Sequence, residues 1–421
     1  MDNRSNDFMD NRSNNNESEN ELKGNDPNYE YNKPRKKWGL WIGIILLALL
    51  AVMFLQNLNI FAIGGNTGRG MIHINERDIP SFSSVDIITS STDIEFIPAD
   101  YFGIEIRMPR DFQPEWNVEN NVLVFRQASR ANIQVGFFRI NDRRYVRVYY
   151  PRRTSFDDIL LQASSGNITF PEVEARNLTI TTSSGNITAG AENYINATLT
   201  ASSGRINFDG NCINGQTDII ASSGNITVSN QSNQGQMNIS ASSGNVRAYV
   251  SDAAEVTVST SSGNITSTLN NIDVVSLSAT SGNIDTSVDG CDAVSIRTSS
   301  GNISANSDDL RATILSVNAT SGRIRVDGET WQNLTAESSS GNIDINGALF
   351  GSTSVRATSG NVGMNVTGQA SQYGYDLNAT SSGATIRWDG NRMNRPARSS
   401  GSFEHNINVN TSSGNIRVDF N

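Results

Sequence analysis

Apolar and polar residues alternate along most of the chain, and from about residue 161 the alternation recurs with a nearly constant period. Each period contains a block that reads Ser-Gly-Asn-Ile or close to it. The glycines of these blocks are Gly166, Gly185, Gly204, Gly224, Gly244, Gly263, Gly282, Gly301, Gly322, Gly341, Gly360, Gly383 and Gly414. Subtracting neighbouring positions gives mostly 19 or 20 residues, with single gaps of 21, 23 and 31, and the last gap holds a degenerate Ser399-Ser400-Gly401 copy. Such regularity predicts one structural unit for each period.

Aliphatic residues occupy fixed positions around each glycine. Ile or Val stands two residues after it in nearly every copy, an aliphatic residue stands five before it, and Ala or Thr stands three before it. Alternation of this kind predicts strands with one buried face. Each unit should be a strand, a Ser-Ser-Gly turn in which glycine supplies positive φ, a second strand and a second turn. The second turn often reads Asp-Gly or Asn-Gly, as at Asp209-Gly210, Asp289-Gly290, Asp327-Gly328, Asn346-Gly347 and Asp389-Gly390.

A unit of 19 or 20 residues is too short for a domain but suits one coil of a single-stranded parallel β-helix. We therefore predict an all-β fold, a β-solenoid of about 13–14 coils over residues 161–421. Successive coils should stack at about 4.8 Å, with equivalent aliphatic side chains in interior columns. Ile187, Ile226 and Ile265 should share one such column. A β-propeller or a sandwich is the alternative, but a propeller blade needs about 40 residues and carries a different signature.

Two cysteines, Cys212 and Cys291, lie in different repeats. Their blocks are four coils apart, which corresponds to about 19 Å along a solenoid axis. A disulfide needs Cα atoms within about 7 Å of each other. We therefore expect two separate reduced thiols.

The N-terminal part of the chain differs in composition from the rest. Residues 1–37 are rich in Asn, Asp, Glu and Ser and predict a disordered cytoplasmic tail. Residues 38–63 are mostly apolar and predict a transmembrane anchor. The basic cluster before the anchor, which comprises Lys33, Arg35, Lys36 and Lys37, places the N-terminus in the cytoplasm and the C-terminal region outside a single-pass cell membrane. A cleaved signal peptide is the alternative, disfavoured because the apolar stretch is long and begins far from the first residue.

Residues 64–160 are irregular and predict a β segment that caps the first coil, because a solenoid needs an atypical end unit. Residues 145–151 read as a strand that ends at a proline. An arginine patch lies in this segment and comprises Arg139, Arg143, Arg144, Arg147, Arg152 and Arg153. We interpret the patch as a solvated face of the first coils, with contact to anionic lipid or cell-wall polymer as the alternative.

Composition and charge argue against several functions. The formal net charge is −10 and the pI about 4.9, whereas a nucleic-acid-binding surface is normally basic, so we expect no nucleic-acid partner. The chain has only two histidines, His73 and His405, and they lie far apart in sequence. Metal binding or general-base catalysis by histidine is therefore not indicated. We predict no catalytic, cofactor-binding or metal-binding residues and no cofactor.

Charged residues are expected on the outside of the coils, at Arg205, Asp209, Arg247, Asp285, Arg297, Arg323, Arg325 and Asp327. A polysaccharide-active enzyme would need such groups clustered on one face. Here they are scattered over many coils, so we predict no enzyme. The asparagine after each glycine also matches a glycosylation acceptor at Asn167, Asn186, Asn225 and Asn264. We interpret these asparagines instead as turn residues whose side chains form amide ladders between coils.

Three features resemble a known family: the segment from Phe82 to Ile97, the strand from Val146 to Pro151, and the recurring Ser-Ser-Gly-Asn-Ile block. From about residue 80 to residue 421 the chain resembles the bacterial putative-adhesin domains of unknown function, which include LiaG-like proteins and related head domains of autotransporter adhesins. The resemblance implies a β-solenoid at the cell envelope.

We therefore predict a non-catalytic, membrane-anchored, extracytoplasmic β-solenoid that serves as an adhesin or an interaction scaffold of the envelope. Its Ser/Thr/Asn-rich faces suit a glycan or protein ligand. One alternative is an envelope-stress sensor whose tail binds a cytoplasmic partner. Another is self-association into filaments, because the last repeat reaches Asn421 without an obvious cap and would leave an open sheet edge. A polysaccharide-active enzyme is disfavoured.

Overall fold

The computed structural model of the protein describes residues 70–127, 143–230, 234–308 and 313–421. All of them belong to one folded unit, Ile63–Asn421. The predicted tail at 1–37 and the predicted transmembrane anchor at 38–63 lie outside the described residues. Within the part of the chain that is described, no helix is long and apolar enough to cross a membrane.

The described chain consists of strands and two 3₁₀ helices, Arg110–Phe112 and Ala370–Gln372. The N-terminal strands are β1 Met71–Arg77, β2 Ser84–Thr89, β3 Asp93–Ala99, β4 Gly103–Pro109, β5 Pro114–Glu119, β6 Val122–Gln127 and β7 Tyr145–Pro151. The strands of the central repeats are β8 Phe156–Ala163, β9 Ile168–Thr182, β10 Ile187–Ala201, β11 Ile206–Ala221, β12 Ile226–Asn230, β13 Gln236–Ala241, β14 Val246–Ser251, β15 Glu255–Thr260, β16 Ile265–Asn270, β17 Val274–Ala279, β18 Ile284–Asp289, β19 Ala293–Ser300, β20 Ile303–Ser307, β21 Thr313–Ser321, β22 Ile324–Ser340, β23 Ile343–Phe350, β24 Ser352–Ser359 and β25 Val362–Val366. The C-terminal strands are β26 Tyr373–Ala379, β27 Ile386–Trp388, β28 Asn391–Met393, β29 Ala397–Arg398, β30 His405–Ser413 and β31 Ile416–Phe420.

Each central repeat contributes one strand before the Ser-Ser-Gly-Asn corner and one after it. The strands before the corner pair in parallel in the order β8, β9, β10, β11, β13, β15, β17, β19, β21, β22 and β24 and form the first ladder. The strands after the corner pair in parallel in the order β9, β10, β11, β12, β14, β16, β18, β20, β22, β23 and β25 and form the second ladder. The long strands β9, β10, β11 and β22 run through the second turn and belong to both ladders. This arrangement is the predicted all-β solenoid.

The register places equivalent aliphatic residues in interior columns, as predicted. In the second ladder Ile187 pairs with Ile206, Ile206 with Ile226, Ile226 with Val246 and Val246 with Ile265, and each is at most 1% exposed. The first ladder contributes a matching buried column of Leu199, Ile219, Ile239, Val258 and Leu277. Burying each such side chain contributes about 1.5–3 kcal/mol relative to leaving it in water. One continuous apolar core therefore follows the stack.

About 10 turns follow one another in sequence order, fewer than the 13–14 predicted. These turns begin at Ile168, Ile187, Ile206, Ile226, Val246, Ile265, Ile284, Ile303, Ile324 and Ile343. The prediction counted every Ser-Gly-Asn block as the next turn. However, the copies at Gly383 and Gly414 are stacked out of sequence order, and residues 399–401 contain no strand.

The sequence predicted that glycine supplies a positive φ at the corner. The structure shows instead that close stacking of the turns requires glycine there. A Cβ atom on Gly185 would lie 1.8 Å from the carbonyl oxygen of Gly166. The same contact recurs along the column to Gly414, whose Cβ would lie 1.9 Å from the carbonyl oxygen of Gly360. Among the corner glycines, all of which the structure describes, φ is positive at Gly322 alone. Because successive corners are superposed, a side chain there would overlap the backbone of the turn beneath it.

At the N-terminal end the order along the chain and the order in the stack differ. Strand β2 lies between β6 and β8, and β3 lies between β7 and β9, all in parallel. The chain therefore forms the β2–β3 turn first and then the outer layer of β6 and β7. It then returns to the inner side of the β2–β3 turn, where β8 and β9 begin the regular turns. Antiparallel strands cover this outer layer, with β5 on β6, β4 on β7 and β1 on β4. The rings of Phe82, Phe96, Tyr150 and Phe156 pack together in the core beneath.

The same inversion occurs at the C-terminal end. Strand β30 lies between β24 and β26, and β31 lies between β25 and β27, all in parallel. The chain forms the outermost turn with β26 and β27 before it returns to fill the gap beneath. Short antiparallel strands flank the outermost turn, with β29 on β26 and β28 on β27. The expectation of an open edge at the last repeat is therefore wrong, because the repeat that ends at Asn421 lies between two other turns.

The cysteines occupy separate turns. Cys291 is a buried, reduced thiol whose Sγ lies 3.5 Å from the carbonyl oxygen of Leu269. The backbone of Cys212 pairs with that of Tyr194 in an earlier part of the stack. The expectation of a reduced thiol is confirmed for Cys291.

Candidate binding surfaces

The outward side chains of the first ladder form a surface rich in hydroxyl and amide groups. One column consists of Thr179, Thr198, Asp218, Asn238, Thr257, Ser276, Ser295, Ser316, Thr335, Ser354 and Asn408. The neighbouring column consists of Thr181, Thr200, Ile220, Ser240, Ser259, Ser278, Arg297, Asn318, Glu337, Arg356 and Asn410. We call these two columns the hydroxyl face.

Strand geometry fixes both the direction and the spacing of the hydroxyl face. Each of its residues alternates with a buried residue, so its side chain points away from the core. Equivalent groups recur at the strand spacing of about 4.8 Å. Two arginines and two carboxylates in the columns cancel in charge. Since hydroxyls and amides both donate and accept, the face offers neutral hydrogen-bonding groups at regular intervals.

The corner asparagines form the ladder that the sequence predicted. The Oδ1 atom of Asn167 accepts from the backbone N–H of Asn186 at 2.9 Å, and the Oδ1 atom of Asn186 accepts from the backbone N–H of Arg205 at 2.9 Å. The same contact recurs at 2.8–2.9 Å along the column. These bonds satisfy corner N–H groups that lie outside the strands. The asparagines of the glycosylation-like motifs therefore act as links between turns.

Two arginines interrupt this asparagine ladder, because a guanidinium group cannot accept a hydrogen bond. They are Arg205 and Arg323, which stand where other corners have asparagine. The Nε of Arg323 donates to Asp344 at 2.6 Å. Around Arg205 a polar groove of about 490 Å³ opens, with Asn207 and Ser223 among its lining residues.

A buried polar cluster lies on the sheet of β1, β4 and β7. Glu105, on the central strand β4, is 8% exposed and accepts hydrogen bonds from the hydroxyls of Tyr145 and Tyr149, both at 2.7 Å. His73 Nε2 lies 2.8 Å from the same carboxylate, and Arg147 donates to it at 3.4 Å. The antiparallel register brings these groups together, because β4 pairs with β1 on one side and β7 on the other.

This environment keeps Glu105 ionised. Burial alone would raise the pKa of Glu105, but the hydrogen bonds from Tyr145, Tyr149, His73 and Arg147 together outweigh burial and lower the pKa from 4.5 to about 2. Burial and the bond to Glu105 raise the pKa of Tyr149 to about 12. A carboxylate that stays ionised and accepts several donors is a poor general acid. The cluster therefore acts to hold three strands together.

The predicted arginine patch is paired with neighbouring groups. Arg143 and Arg147 both bond to the Glu95 carboxylate, and the distance from Arg147 Nε to Glu95 Oε2 is 2.8 Å. This pairing favours the interpretation of the patch as a solvated face. The remaining members are Arg144, which donates to Ser91 at 3.1 Å, the exposed Arg152 and Arg153, and Arg139, which lies outside the described residues.

The other predicted outward charges are not gathered into one site. Arg247, Asp285 and Arg325 occupy one column of the second ladder, but a Thr or Ser separates each from the next. Arg325 bonds instead to Asp327 on its own strand. Arg323 lies near Arg325, because Asp344 bonds to Arg323 and pairs in register with Arg325. The rest lie apart, with Arg205 at its corner, Asp209 in β11 and Arg297 on the hydroxyl face. Across the described ranges, no group of three or more His, Cys, Asp or Glu side chains is placed to hold a metal ion.

A second groove, of about 770 Å³, opens at the outermost C-terminal turn, and we call it the cap groove. Its polar and basic lining consists of Asn378, Thr380, Ser382, Thr385, Arg392, Asn394 and Arg395. The Nη2 of Arg395 donates to the carbonyl oxygen of Ser382 at 3.0 Å. The repeat pattern gave no indication of this groove, although four arginines within residues 385–398 of an acidic chain were a usable signal.

The stacked parallel ladders, the interior aliphatic columns and the asparagine corner define a β-solenoid repeat protein. Within that class, the family model described as Toastrack DUF4097 matches residues 82–269 and 249–419. These matches span most of the chain, so the protein belongs to the toastrack DUF4097 family. The expected resemblance to the bacterial putative-adhesin domains is confirmed. No curated protein matches the chain.

Several solved structures share similarity with the chain at low sequence identity. A putative adhesin from Parabacteroides distasonis is 10% identical, covers 70% of this chain and 97% of its own, and has a TM-score of 0.25. A putative adhesin from Parabacteroides merdae is 14% identical, covers 72% and 98%, and has a TM-score of 0.23. A putative cell adhesion protein from Clostridium sporogenes is 7% identical, covers 84% and 100%, and has a TM-score of 0.16. TM-scores this low support no conclusion about function.

Proposed function

We propose that this protein is a non-catalytic adhesin of the cell envelope, anchored by residues 38–63, whose hydroxyl face binds neutral glycans on an opposing surface. The observation that carries the proposal is the in-register repetition of outward hydroxyl and amide groups over successive turns of the first ladder. Membership of the toastrack family is consistent with this role.

The physical basis is repetition on a rigid support. One hydrogen bond exchanged with water contributes only about 0.5–1.5 kcal/mol, so a single turn would bind a sugar weakly. Many equivalent groups on one stack can engage several sugar units of the same polymer at once, which multiplies the weak affinities. The shared core keeps the turns in register, so little conformational entropy is lost on binding.

A matched pair of variants tests the hydroxyl face. One variant carries three glutamates on the face, in alternate turns, at Asn238→Glu, Ser276→Glu and Ser316→Glu. The control carries three glutamates at outward positions of the second ladder, also in alternate turns, at Thr227→Glu, Thr266→Glu and Ser304→Glu. Because both sets point away from the core, both variants should fold like the wild type.

The measurement is attachment of producing cells, and binding of the full-length protein, to an array of neutral glycans and to cell surfaces. We expect the face variant to lose about tenfold or more in binding, since three short hydroxyl and amide side chains are replaced by longer carboxylates that cannot donate hydrogen bonds and that obstruct close approach of the sugar. The second-ladder control should bind like the wild type. Equal binding by all three proteins would show that the hydroxyl face is not the ligand surface.

Filament formation through the last repeat is less well supported than adhesion. That alternative needed an open sheet edge at the C-terminal repeat, and β30 and β31 each pair with a strand on both sides. A paired strand has no free N–H and C=O groups to offer another chain.

A further inference from the structure

The C-terminal turn reverses the charge of the protein locally. Residues 385–398 contain Arg387, Arg392, Arg395 and Arg398 against a single Asp389, which gives 4 − 1 = +3, whereas the whole chain carries −10. These residues form β27, β28 and the segment around β29, at the outer end of the stack. A positive field at this end would attract anions that the rest of the surface repels.

The register concentrates that charge in one row. Arg387 of β27 pairs with Arg392 of β28 on one side and with Arg417 of β31 on the other, and all three side chains are exposed. Residues directly opposite each other in adjacent strands have Cβ atoms about 5 Å apart, and like charges there are destabilising. The fold therefore maintains an arrangement that costs stability unless an anion lies against it.

Within the described part of the chain, two of the five local arginines are paired with carboxylates, whereas Arg387, Arg392 and Arg395 are not. Arg417 bonds to Asp419, and Arg398 bonds to Asp376 at 3.1 Å. Arg387 and Arg392 form no ion pair with any carboxylate of the described residues. These two adjacent guanidinium groups therefore present unneutralised donors to solvent, in the planar geometry that suits carboxylate and phosphate groups.

The cap groove continues from this row. Arg392 lines the groove, and Arg395 is held at its margin by bonds to the carbonyl oxygens of Ser381 and Ser382. A guanidinium group has five N–H donors, so Arg395 retains donors beyond these two bonds. The groove is open because no turn is stacked over this corner, and a Cβ built on Gly383 would meet nothing within 4 Å.

The size and lining of the groove indicate the ligand. Its volume of about 770 Å³ is far larger than one inorganic anion needs. Hydroxyl and amide groups of Thr380, Ser382, Thr385 and Asn394 line it beside the arginines. Such a mixture of polar neutral groups and guanidinium groups matches a sugar chain that also carries negative charge.

We propose that the cap groove binds an acidic polysaccharide, with its anionic groups against Arg387 and Arg392 and its sugar hydroxyls along the groove. This site is distinct from the hydroxyl face, and it does not depend on the neutral-glycan function proposed above. It gives the protein a second, charge-selective binding surface at the end of the solenoid.

The test compares the full-length protein with two variants at low ionic strength. The double variant Arg387→Gln/Arg392→Gln removes the two adjacent charges of the row that no carboxylate neutralises. The control, Arg247→Gln, removes an exposed arginine from the same outward column of the second ladder, where its neighbours are the neutral Thr227 and Thr266. Polygalacturonate is the acidic probe, dextran is the neutral probe, and polyphosphate is an anionic polymer without sugar.

We expect the wild type and Arg247→Gln to bind polygalacturonate equally, and the double variant to bind it about tenfold or more weakly. Added salt should weaken the wild-type interaction. Without ligand, the double variant should have a higher Tm than the wild type, because the repulsion between adjacent arginines is removed. A higher Tm also shows that the variant folds. Polygalacturonate should raise the Tm of the wild type and not that of the double variant.

Equal affinity of the wild type and the double variant for polygalacturonate would overturn the proposal, as would an equal loss in Arg247→Gln. A preference of the wild type for polyphosphate over polygalacturonate would overturn the assignment to a polysaccharide. The triple-glutamate variant of the hydroxyl face should retain polygalacturonate binding, so failure of one proposal is distinguishable from failure of the other.

Discussion

At the scale of single residues, the corner explains which side chains the repeat tolerates. At every corner glycine from Gly185 to Gly360, and at Gly414, a Cβ would overlap the carbonyl oxygen of the corner glycine beneath it. Three positions earlier, the Oγ1 of Thr182 accepts from the N–H of Gly185, and that of Thr260 accepts from the N–H of Gly263, both at 3.0 Å. Only a small residue fits beneath the corner, and a threonine there adds a hydrogen bond that closes the turn.

Substitution of a stacked glycine should therefore be costly. In Gly263→Ala the new Cβ would lie 1.9 Å from the carbonyl oxygen of Gly244, so the turns must separate. We expect the free energy of unfolding to fall by about 3 kcal/mol or more. The control, Gly383→Ala, places its Cβ where nothing lies within 4 Å and should change stability by less than about 0.5 kcal/mol. Urea denaturation followed by circular dichroism measures both, and equal losses would contradict the close-stacking explanation.

Alternation and the repeat period together predicted the interior columns correctly, and the reason is geometric. Side chains on a strand alternate between two faces, and the repeat length is nearly constant. Ile187, Ile226 and Ile265 therefore lie in one inward column. The role of the corner glycines could not be predicted in the same way. Positive φ and close backbone approach both select glycine, and only the stacked structure shows which of the two applies.

At the scale of elements, the antiparallel sheet of β1, β4 and β7 is joined by side chains that are distant in sequence. His73, Tyr145 and Tyr149 lie 32, 40 and 44 residues from Glu105. The sequence predicted the strand at 145–151 but nothing in the spacing indicated that it would pair with β4. Irregular segments lack the period that fixes register, so their polar clusters cannot be predicted from the chain alone.

The Glu105 cluster predicts a specific dependence of stability on pH. The folded pKa of about 2 lies below the ordinary 4.5, so its stabilisation is present above pH 4.5 and is lost as the pH falls from 4.5 towards 2. The complete loss corresponds to about 3 kcal/mol. In Glu105→Gln this acid-dependent loss should be absent, although the variant is less stable at neutral pH because its donors lose a charged acceptor.

The measurement is urea denaturation of the wild type, Glu105→Gln and the control Asp285→Asn between pH 7 and pH 3. Asp285 is an exposed carboxylate on the second ladder, outside the Glu105 cluster, so this variant controls for the removal of one negative charge. If Glu105→Gln loses stability with acid as steeply as the wild type, another group carries the effect.

At the scale of the whole molecule, both ends of the solenoid invert the order of the chain. The β2–β3 turn and the β30–β31 turn are each covered by strands from another part of the sequence. Spacing between repeats reports order along the chain and not order in the stack, which is why the predicted number of successive coils was too high. The longer gaps of 23 and 31 residues were the sign that the regular stacking ends after Gly360.

The inversion at the C-terminal end predicts what removal of that end would do. Deleting residues 367–421 leaves β24 and β25 with no strand on their outer side, because β30 and β31 pair with them there. Exposed parallel strands bind further strands, so the truncated protein should self-associate more strongly than the full chain as its concentration increases. Light scattering and electron microscopy measure this association. Adding Ser354→Lys and Gly363→Lys to the truncated protein places charge on both exposed edges and should reduce the association. If the truncated protein remains as monomeric as the full chain, the inverted C-terminal turns do not protect the stack. The regular turns would then resist edge pairing by themselves.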